Sequence, residues 1–201
     1  IMRAVVTRVD HASVTIGGTV SPAGGNFEEP VTQATLKVVG AFHGLSRERS
    51  DARKYPAIHP IDSWSKYRGV VDMERVEQAR SILKRSNEIN QMMKVIGEEG
   101  TSAEDYIVYQ KGELLDAVYL QQNSFDPIDA ACDPDRQIHE FNVLYDVLTR
   151  DFALSDKKEI RAFFNQVRQE FLDWHNTVFR TPEFEAQEKR LKDFYLSKAA
   201  G

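Results

Sequence analysis

The chain has 201 residues and a formal net charge of −5, from 26 Lys and Arg against 31 Asp and Glu. This acidic balance argues against general nucleic-acid binding, which needs a basic surface to neutralise phosphates. A single cysteine, Cys132, excludes an internal disulfide framework and fits a reducing cytosol, while the scattered histidines predict no metal site.

The first 70 residues are predicted to combine strands, loops and one helix. Residues 3–9 and 13–20 are rich in β-branched side chains and are separated by a short polar connection, which predicts a β-hairpin. Apolar residues recur at helical spacing over residues 31–45, which predicts a helix packed on that sheet. Because the first residues enter a predicted strand at once, we expect the chain to be a piece of a longer protein.

Two polar segments in this part admit alternative interpretations. In the loop of residues 21–30, Asn26, Glu28 and Glu29 either contact a partner or simply connect a strand to a helix. The loop is a poor phosphate cradle, because it lacks the GxxxxGK[ST] pattern and its charges are acidic. The charged residues 46–54 form either a solvated helical turn or a segment whose arginines face an anion.

Beyond residue 71 the periodicity predicts five amphipathic helices. Their predicted starts are Asp72, Ser102, Asp133-Pro134, Ser155 and Thr181-Pro182. Their aromatic stripes are expected to form a core. The sequence therefore predicts an α+β, mostly α fold, with a first domain of residues 1–70 and a helical bundle of residues 71–201. No apolar run reaches 18 residues, so we expect no direct membrane insertion.

No residue is a candidate for catalysis, since neither a GxSxG motif nor a base next to Cys132 is evident. Two aromatic loops flank the predicted domain junction. They contain Tyr55, followed by proline, and Phe125, preceded by the amides Gln121 and Gln122. Two rings with amides beside them can hold a purine; the alternative is that Tyr55 fills the junction.

A second candidate is the turn between the first two helices of the bundle, which carries four carboxylates. These belong to Glu98, Glu99, Glu104 and Asp105. They are either a solvated helix end or a docking surface for a basic partner helix.

Three segments together resemble the catalytic A subunit of vacuolar and archaeal-type rotary ATPases. They are GTVSPAGGNFEEPVTQATL (residues 18–36), RKYPAIHPIDSWSKY (residues 53–67) and YLQQNSFDPID (residues 119–129). The segments occur in the family's order, and the resemblance covers residues 13–150. It implies a subunit of three parts, of which this chain resembles the last third, without the Walker A loop, the catalytic glutamate or the magnesium-binding part.

The resemblance implies that the full-length subunit binds ATP or ADP with magnesium, whereas this chain alone should neither hydrolyse nor tightly bind nucleotide. It places Tyr55, Phe125, Gln121 and Gln122 around the adenine. The turn of residues 98–105 would face the central stalk, which the loop of Asn26 to Glu29 would also approach.

The family also implies partners and a location. The partners would be the B subunit and the central-stalk subunits, in a cytoplasmic complex peripheral to the membrane. Residues 67–72 would form the hinge through which the bundle moves.

Apolar surface left by missing parts predicts self-association of this chain. The alternative is a free-standing, non-catalytic helical module for protein interactions.

Overall fold

A computed structural model describes residues 14–22 and 28–199. The chain divides between Gly40 and Ala41 into two compact units. The described part of the first unit contains one helix, α1 (Pro30–Val38). The second unit contains two short strands and the other helices. The fold is therefore α+β and mostly α, as the periodicity predicts.

In the first unit, the predicted strand of residues 13–20 is wrong over its described part. Residues 14–20 form no regular secondary structure, and Val14 and Ile16 are 77% and 79% exposed. Strand propensity reflects packing on a half-buried sheet, and an exposed segment has no such packing to stabilise it. The predicted strand of residues 3–9 lies outside the described residues.

The predicted helix of residues 31–45 is too long at its carboxyl end. The helix α1 begins at Pro30, where proline fits the first helical position, and ends at Val38. The β-branched Val39 and Gly40 follow, and both residue types lower helix propensity. Beyond them, β1 (Ala41–Phe42) pairs antiparallel with β2 (Trp64–Ser65).

Between the strands, a compact loop carries the short helix α2 (Arg47–Asp51). The Ser46 hydroxyl accepts a hydrogen bond from the Arg49 amide at 3.2 Å and so caps α2. Further along, the Arg80 guanidinium donates to the carbonyls of Ile61 and Ser63 at 2.7 and 3.1 Å. These bonds fasten the end of the loop to the first long helix.

The described part of the bundle contains five helices. They are α3 (Met73–Ile96), α4 (Ala103–Leu115), α5 (Pro134–Thr149), α6 (Lys157–His175) and α7 (Pro182–Leu196), with a π-helical turn (Asp116–Leu120) directly after α4. The predicted helix starts at Asp72, Ser102, Asp133 and Thr181 are confirmed, and each of these side chains caps its helix by accepting a backbone N–H.

The predicted cap of α6, Ser155, is wrong by one residue. The Asp156 carboxylate accepts hydrogen bonds from the amides of Lys158 and Glu159, both at 3.0 Å. A carboxylate there satisfies two free amides and complements the positive end of the helix dipole, which a hydroxyl does less well.

The core of the bundle lies around α4, which contacts α3, α5 and α6. Its largest fully buried side chains are aromatic: Tyr106, Phe171, Trp174, Phe184 and Tyr195. All of them except Tyr106 lie on the apolar stripes that the sequence shows at helical spacing. The aromatic stripes are therefore core, as predicted.

Candidate functional site

The two predicted aromatic loops meet in the second unit. The backbone amide of Gln122 donates to the carbonyl of Tyr55 at 2.9 Å, across a separation of 67 positions. Tyr55 precedes a cis peptide bond to Pro56, and Gln122 follows the π-helical turn. The structure therefore brings together two of the four residues expected around a base.

Both rings of the expected pair are open to solvent. Tyr55 is 53% exposed and Phe125 is 95% exposed. Among the described residues, the ring contacts do not include one between these two side chains. A flat apolar face without a neighbour is a surface on which a planar ligand can stack.

The two glutamine side chains use their amide hydrogens within the chain. Nε2 of Gln121 donates to the carbonyl of Asp116 at 3.2 Å, and Nε2 of Gln122 donates to the carbonyl of Asp129 at 2.6 Å. These bonds orient both amides and leave their oxygens as acceptors. An acceptor next to an aromatic face suits the exocyclic amine of adenine.

The loop that carries Phe125 is held by its own polar groups. The Asn123 side chain accepts the Phe125 amide at 3.0 Å, and the Asn123 amide donates to the Asp129 carboxylate at 2.5 Å. The Asp126 carboxylate accepts the amides of Ile128 and Asp129 at 2.7 and 3.2 Å. This network fixes the backbone at the loop tip, from which the Phe125 ring extends into solvent.

An ion-pair cluster that sequence reasoning missed lies beneath the Tyr55 loop. The Asp116 carboxylate contacts the Arg49 guanidinium at 2.5 Å and the Lys54 ammonium at 2.6 Å. The sequence left open whether arginines of residues 46–54 face an anion. The structure shows that the anion is Asp116. Periodicity along the chain could not identify this partner, because Asp116 lies more than 60 positions away, in the π-helical turn that continues α4.

The acidic turn of the bundle is partly neutralised by the chain itself. Arg161 binds the carboxylate of Glu98, and Arg85 binds that of Asp105 at 3.1 Å. In addition, Lys157 donates to the carbonyls of Glu98 and Glu99 at 2.6 and 3.0 Å. Glu99 and Glu104 are exposed to solvent. The four carboxylates therefore divide into two that are bound internally and two that face outward.

The acidic loop of the first unit is described only in part. Asn26 lies outside the described residues. Glu28 is exposed, and Glu29 is the amino-terminal cap of α1, where its carbonyl accepts the Gln33 amide at 2.9 Å. The expectation that this loop contacts a partner stays a prediction.

A separate apolar cavity of about 460 Å³ opens where the predicted hinge meets the bundle. It lies between residues 64–71 and the helices α3 and α5, and its walls include Trp64, Val71, Leu83 and Phe141. Neither Tyr55 nor Phe125 lines it. The hinge segment is thus less densely packed against the bundle than the core is.

Neither a membrane-crossing helix nor a metal-binding cluster is found among the described residues. Within residues 14–22 and 28–199, no helix has both the length and the apolar character needed to cross a bilayer. The same residues contain no group of three or more His, Cys, Asp or Glu side chains placed to hold a metal ion.

Comparison with known protein families gives two matches. Residues 73–161 match the family described as the C-terminal domain of V and A type ATP synthase. Residues 1–65 match the nucleotide-binding domain of the ATP synthase alpha/beta family. Both aromatic loops lie within these matched ranges.

Individual relatives agree with the family matches. The chain is 63% identical to a V-type ATP synthase alpha chain of Borrelia turicatae, over 92% of this chain and 32% of the relative. It is 58% identical to that of Treponema denticola, over 98% of this chain and 34% of the relative. The chain spans about a third of the length of these curated relatives and matches their carboxyl-terminal portion.

Among solved structures, the chain resembles the ATP synthase subunit NeqB of Nanoarchaeum equitans. The TM-score is 0.52, over 63% of this chain and 33% of that subunit. At 16% sequence identity, this similarity supports the fold alone.

Proposed function

Because this chain belongs to the family of V- and A-type ATP synthase alpha chains and matches their carboxyl-terminal portion, we propose that it supplies the adenine side of a nucleotide site. The site would be that of a rotary ATPase, whose reaction is ATP hydrolysis or synthesis coupled to transport of protons or sodium ions. The observation that carries the proposal is the hydrogen bond from Gln122 to Tyr55, which unites two aromatic loops distant in sequence.

The chemistry of these loops fits a purine. Tyr55 and Phe125 offer exposed ring faces, and base–aromatic stacking contributes about 1–3 kcal/mol per base in nucleic-acid complexes. The carboxamide oxygens of Gln121 and Gln122 can accept hydrogen bonds from an adenine amine. Phosphate and magnesium would be held by residues outside this sequence, which contains no GxxxxGK[ST] motif.

The experiment that tests the adenine site uses a complete alpha chain with this sequence as its carboxyl-terminal portion. Replacing Tyr55→Ala should weaken ADP binding about tenfold, the equivalent of about 1.4 kcal/mol, whereas Tyr55→Phe should keep the affinity because the ring is retained. The affinities are measured by isothermal titration calorimetry. Equal affinities of the alanine variant and the parent would show that the base is held elsewhere.

The same premise supports a mechanical role for the bundle. Nucleotide binding at the aromatic loops would move the bundle against a central stalk, with the acidic turn at the contact and residues 67–72 as the hinge. The proposed boundary between the nucleotide-binding domain and the bundle falls at residue 70, in the same segment. In the assembled enzyme the chain would also adjoin the B subunit, at the cytoplasmic face of the membrane.

For the chain in isolation we propose that ATP is neither hydrolysed nor tightly bound. The anchoring and charge stabilisation of phosphoryl transfer come from phosphate and magnesium ligands that this sequence does not supply. Titration of the isolated chain with Mg-ATP should therefore give no turnover and no submicromolar binding. Detection of either would overturn this part of the proposal.

A further inference from the structure

The buried carboxylate of Asp116 connects the two aromatic loops. Asp116 is the first residue of the π-helical turn, and its side chain is only 7% exposed. Its two oxygens bind different cations, with Oδ1 2.5 Å from Arg49 Nη1 and Oδ2 2.6 Å from Lys54 Nζ. Arg49 belongs to α2, and Lys54 directly precedes Tyr55.

These contacts belong to a closed circuit of interactions that connects both aromatic loops to Asp116. Lys54 joins the Asp116 side chain to Tyr55, whose carbonyl accepts the Gln122 amide at 2.9 Å. Gln121, the neighbour of Gln122, returns to the Asp116 carbonyl through its Nε2 at 3.2 Å. One residue therefore holds the base of the Tyr55 loop through its side chain and the start of the Phe125 loop through its backbone.

The ion pairs of Arg49 and Lys54 depend on the negative charge of the Asp116 carboxylate. The Arg49 side chain is 11% exposed, and its Nε is buried without a hydrogen-bond partner among the described residues. Removing the negative charge would leave a desolvated guanidinium beside a lysine, which is costly. Lys54 also lies 3.9 Å from Glu113, which is a weaker contact. Both cations are therefore occupied by protein carboxylates, which disfavours a phosphate site here.

We propose that Asp116 is a positioning residue for the adenine-binding loops: its carboxylate binds Arg49 and Lys54 and thereby fixes where Tyr55 presents its ring. This inference rests on the proposed function of the loops. Asp116 itself would not touch the base, because it is buried beneath the loops rather than exposed with the two rings.

The test is Asp116→Asn in a complete alpha chain with this sequence as its carboxyl-terminal portion. The amide has the same shape but no charge, so Lys54 and Arg49 lose their ion pair. We expect ADP to bind about fivefold more weakly, since misplacing the ring removes part of the stacking that Tyr55→Ala removes altogether. Inorganic pyrophosphate with magnesium has no base, and its affinity should be unchanged.

The matched control is Glu170→Gln. Glu170 of α6 has a side chain that is only 4% exposed and pairs at 3.0 Å with Arg190 of α7, and its contacts involve neither loop. Glu170→Gln therefore removes one buried negative charge, as Asp116→Asn does, but at a place away from the two aromatic loops. We expect Glu170→Gln to change the melting temperature but not the ADP affinity.

A double variant separates positioning from general destabilisation. If Asp116 acts through Tyr55, adding Tyr55→Ala to Asp116→Asn should weaken ADP binding by less than about threefold further, because the two effects share one cause. Full additivity would overturn the inference. So would equal losses of ADP and pyrophosphate affinity, or unchanged ADP affinity in Asp116→Asn.

The proposed function fails separately from this inference. If Tyr55→Ala alone leaves ADP binding unchanged, the loops do not hold the base and the proposed function is wrong. If Tyr55→Ala weakens ADP binding while Asp116→Asn does not, only the positioning role of Asp116 is wrong.

Discussion

Gly112 of α4 lies so close to Ser86 of α3 that a Cβ atom on the glycine would stand 2.2 Å from the serine Cβ and Oγ. The same serine donates its hydroxyl hydrogen to the Tyr109 carbonyl at 3.1 Å. The two helices approach closely at this point because one partner has no side chain. The contact between Gly112 and Ser86 therefore sets the distance between α3 and α4 at this point.

Replacing Gly112→Ala should therefore destabilise the bundle by about 1–3 kcal/mol, because the helices must separate or the serine must move. Urea unfolding followed by circular dichroism measures the loss. The control is Gly69→Ala, where an added Cβ would meet its nearest atom, Met73 Sδ, at an ordinary 3.6 Å. A Gly112→Ala variant as stable as the parent would show that the close approach is not maintained in solution.

The buried His175 predicts a loss of stability in mild acid. Burial, assisted by the nearby Arg136, lowers the pKa of His175 from 6.5 to about 4. The unfolded chain therefore takes up a proton at a higher pH than the folded chain does. The free energy of unfolding should fall as the pH drops from about 6.5 towards 4, by at most about 1.4 kcal/mol per pH unit.

The neighbouring Glu140 acts in the opposite direction. Its carboxylate lies 3.8 Å from His175 Nε2, and burial raises its pKa despite the hydrogen bond from Arg136. The measurement is therefore a comparison of urea unfolding at pH 7 and pH 5 in the parent and in His175→Gln. The variant should show a smaller loss between these pH values. The same loss in both proteins would contradict the assignment to His175.

The division of the acidic turn predicts different effects for its carboxylates. Replacing both exposed residues, Glu99→Gln and Glu104→Gln, should leave stability within about 0.5 kcal/mol and, if the proposed central-stalk partner presents a basic surface, slow association with it, most clearly at low salt. Surface plasmon resonance at two ionic strengths measures the rates. An unchanged association rate would indicate that the turn is only a solvated helix end.

The comparison residue in the same turn is Glu98. Because Arg161 already binds its carboxylate, Glu98→Gln should affect association less than the double variant does. It should also cost little stability, since both side chains of this pair are about half exposed. A stronger effect of Glu98→Gln on association would reverse the proposed division of the turn.

Phe125 should matter for ligand binding and not for folding. At 95% exposure it contributes little to the core, so Phe125→Ala should leave the unfolding free energy within about 0.5 kcal/mol. Phe171 is fully buried, and Phe171→Ala should cost about 3–5 kcal/mol. In a complete alpha chain, Phe125→Ala should weaken ADP binding severalfold, as measured by calorimetry. A large loss of stability in Phe125→Ala would show that the ring packs against other residues in solution and is not exposed.

Local signals predicted the helical bundle well because its elements are specified within a few residues. Asp72, Ser102, Asp133 and Thr181 cap helices as expected, since capping requires only a side-chain oxygen near the next turn. The errors lie where local propensity needs a distant partner. Residues 14–20 have β-branched side chains but no strand, and the residues after Val38 pair with Trp64 and Ser65 instead of continuing a helix.

The sequence by itself determined the family, the mostly helical fold and the pair of aromatic loops, because these depend on motifs, caps and periodicity along the chain. Only the tertiary structure decided that Tyr55 and Gln122 share a hydrogen bond, that Asp116 binds both Arg49 and Lys54, and which acidic side chains stay free of an arginine. Contacts of this kind join residues 20 to 67 positions apart. Their geometry follows from how helices pack, which no local pattern encodes.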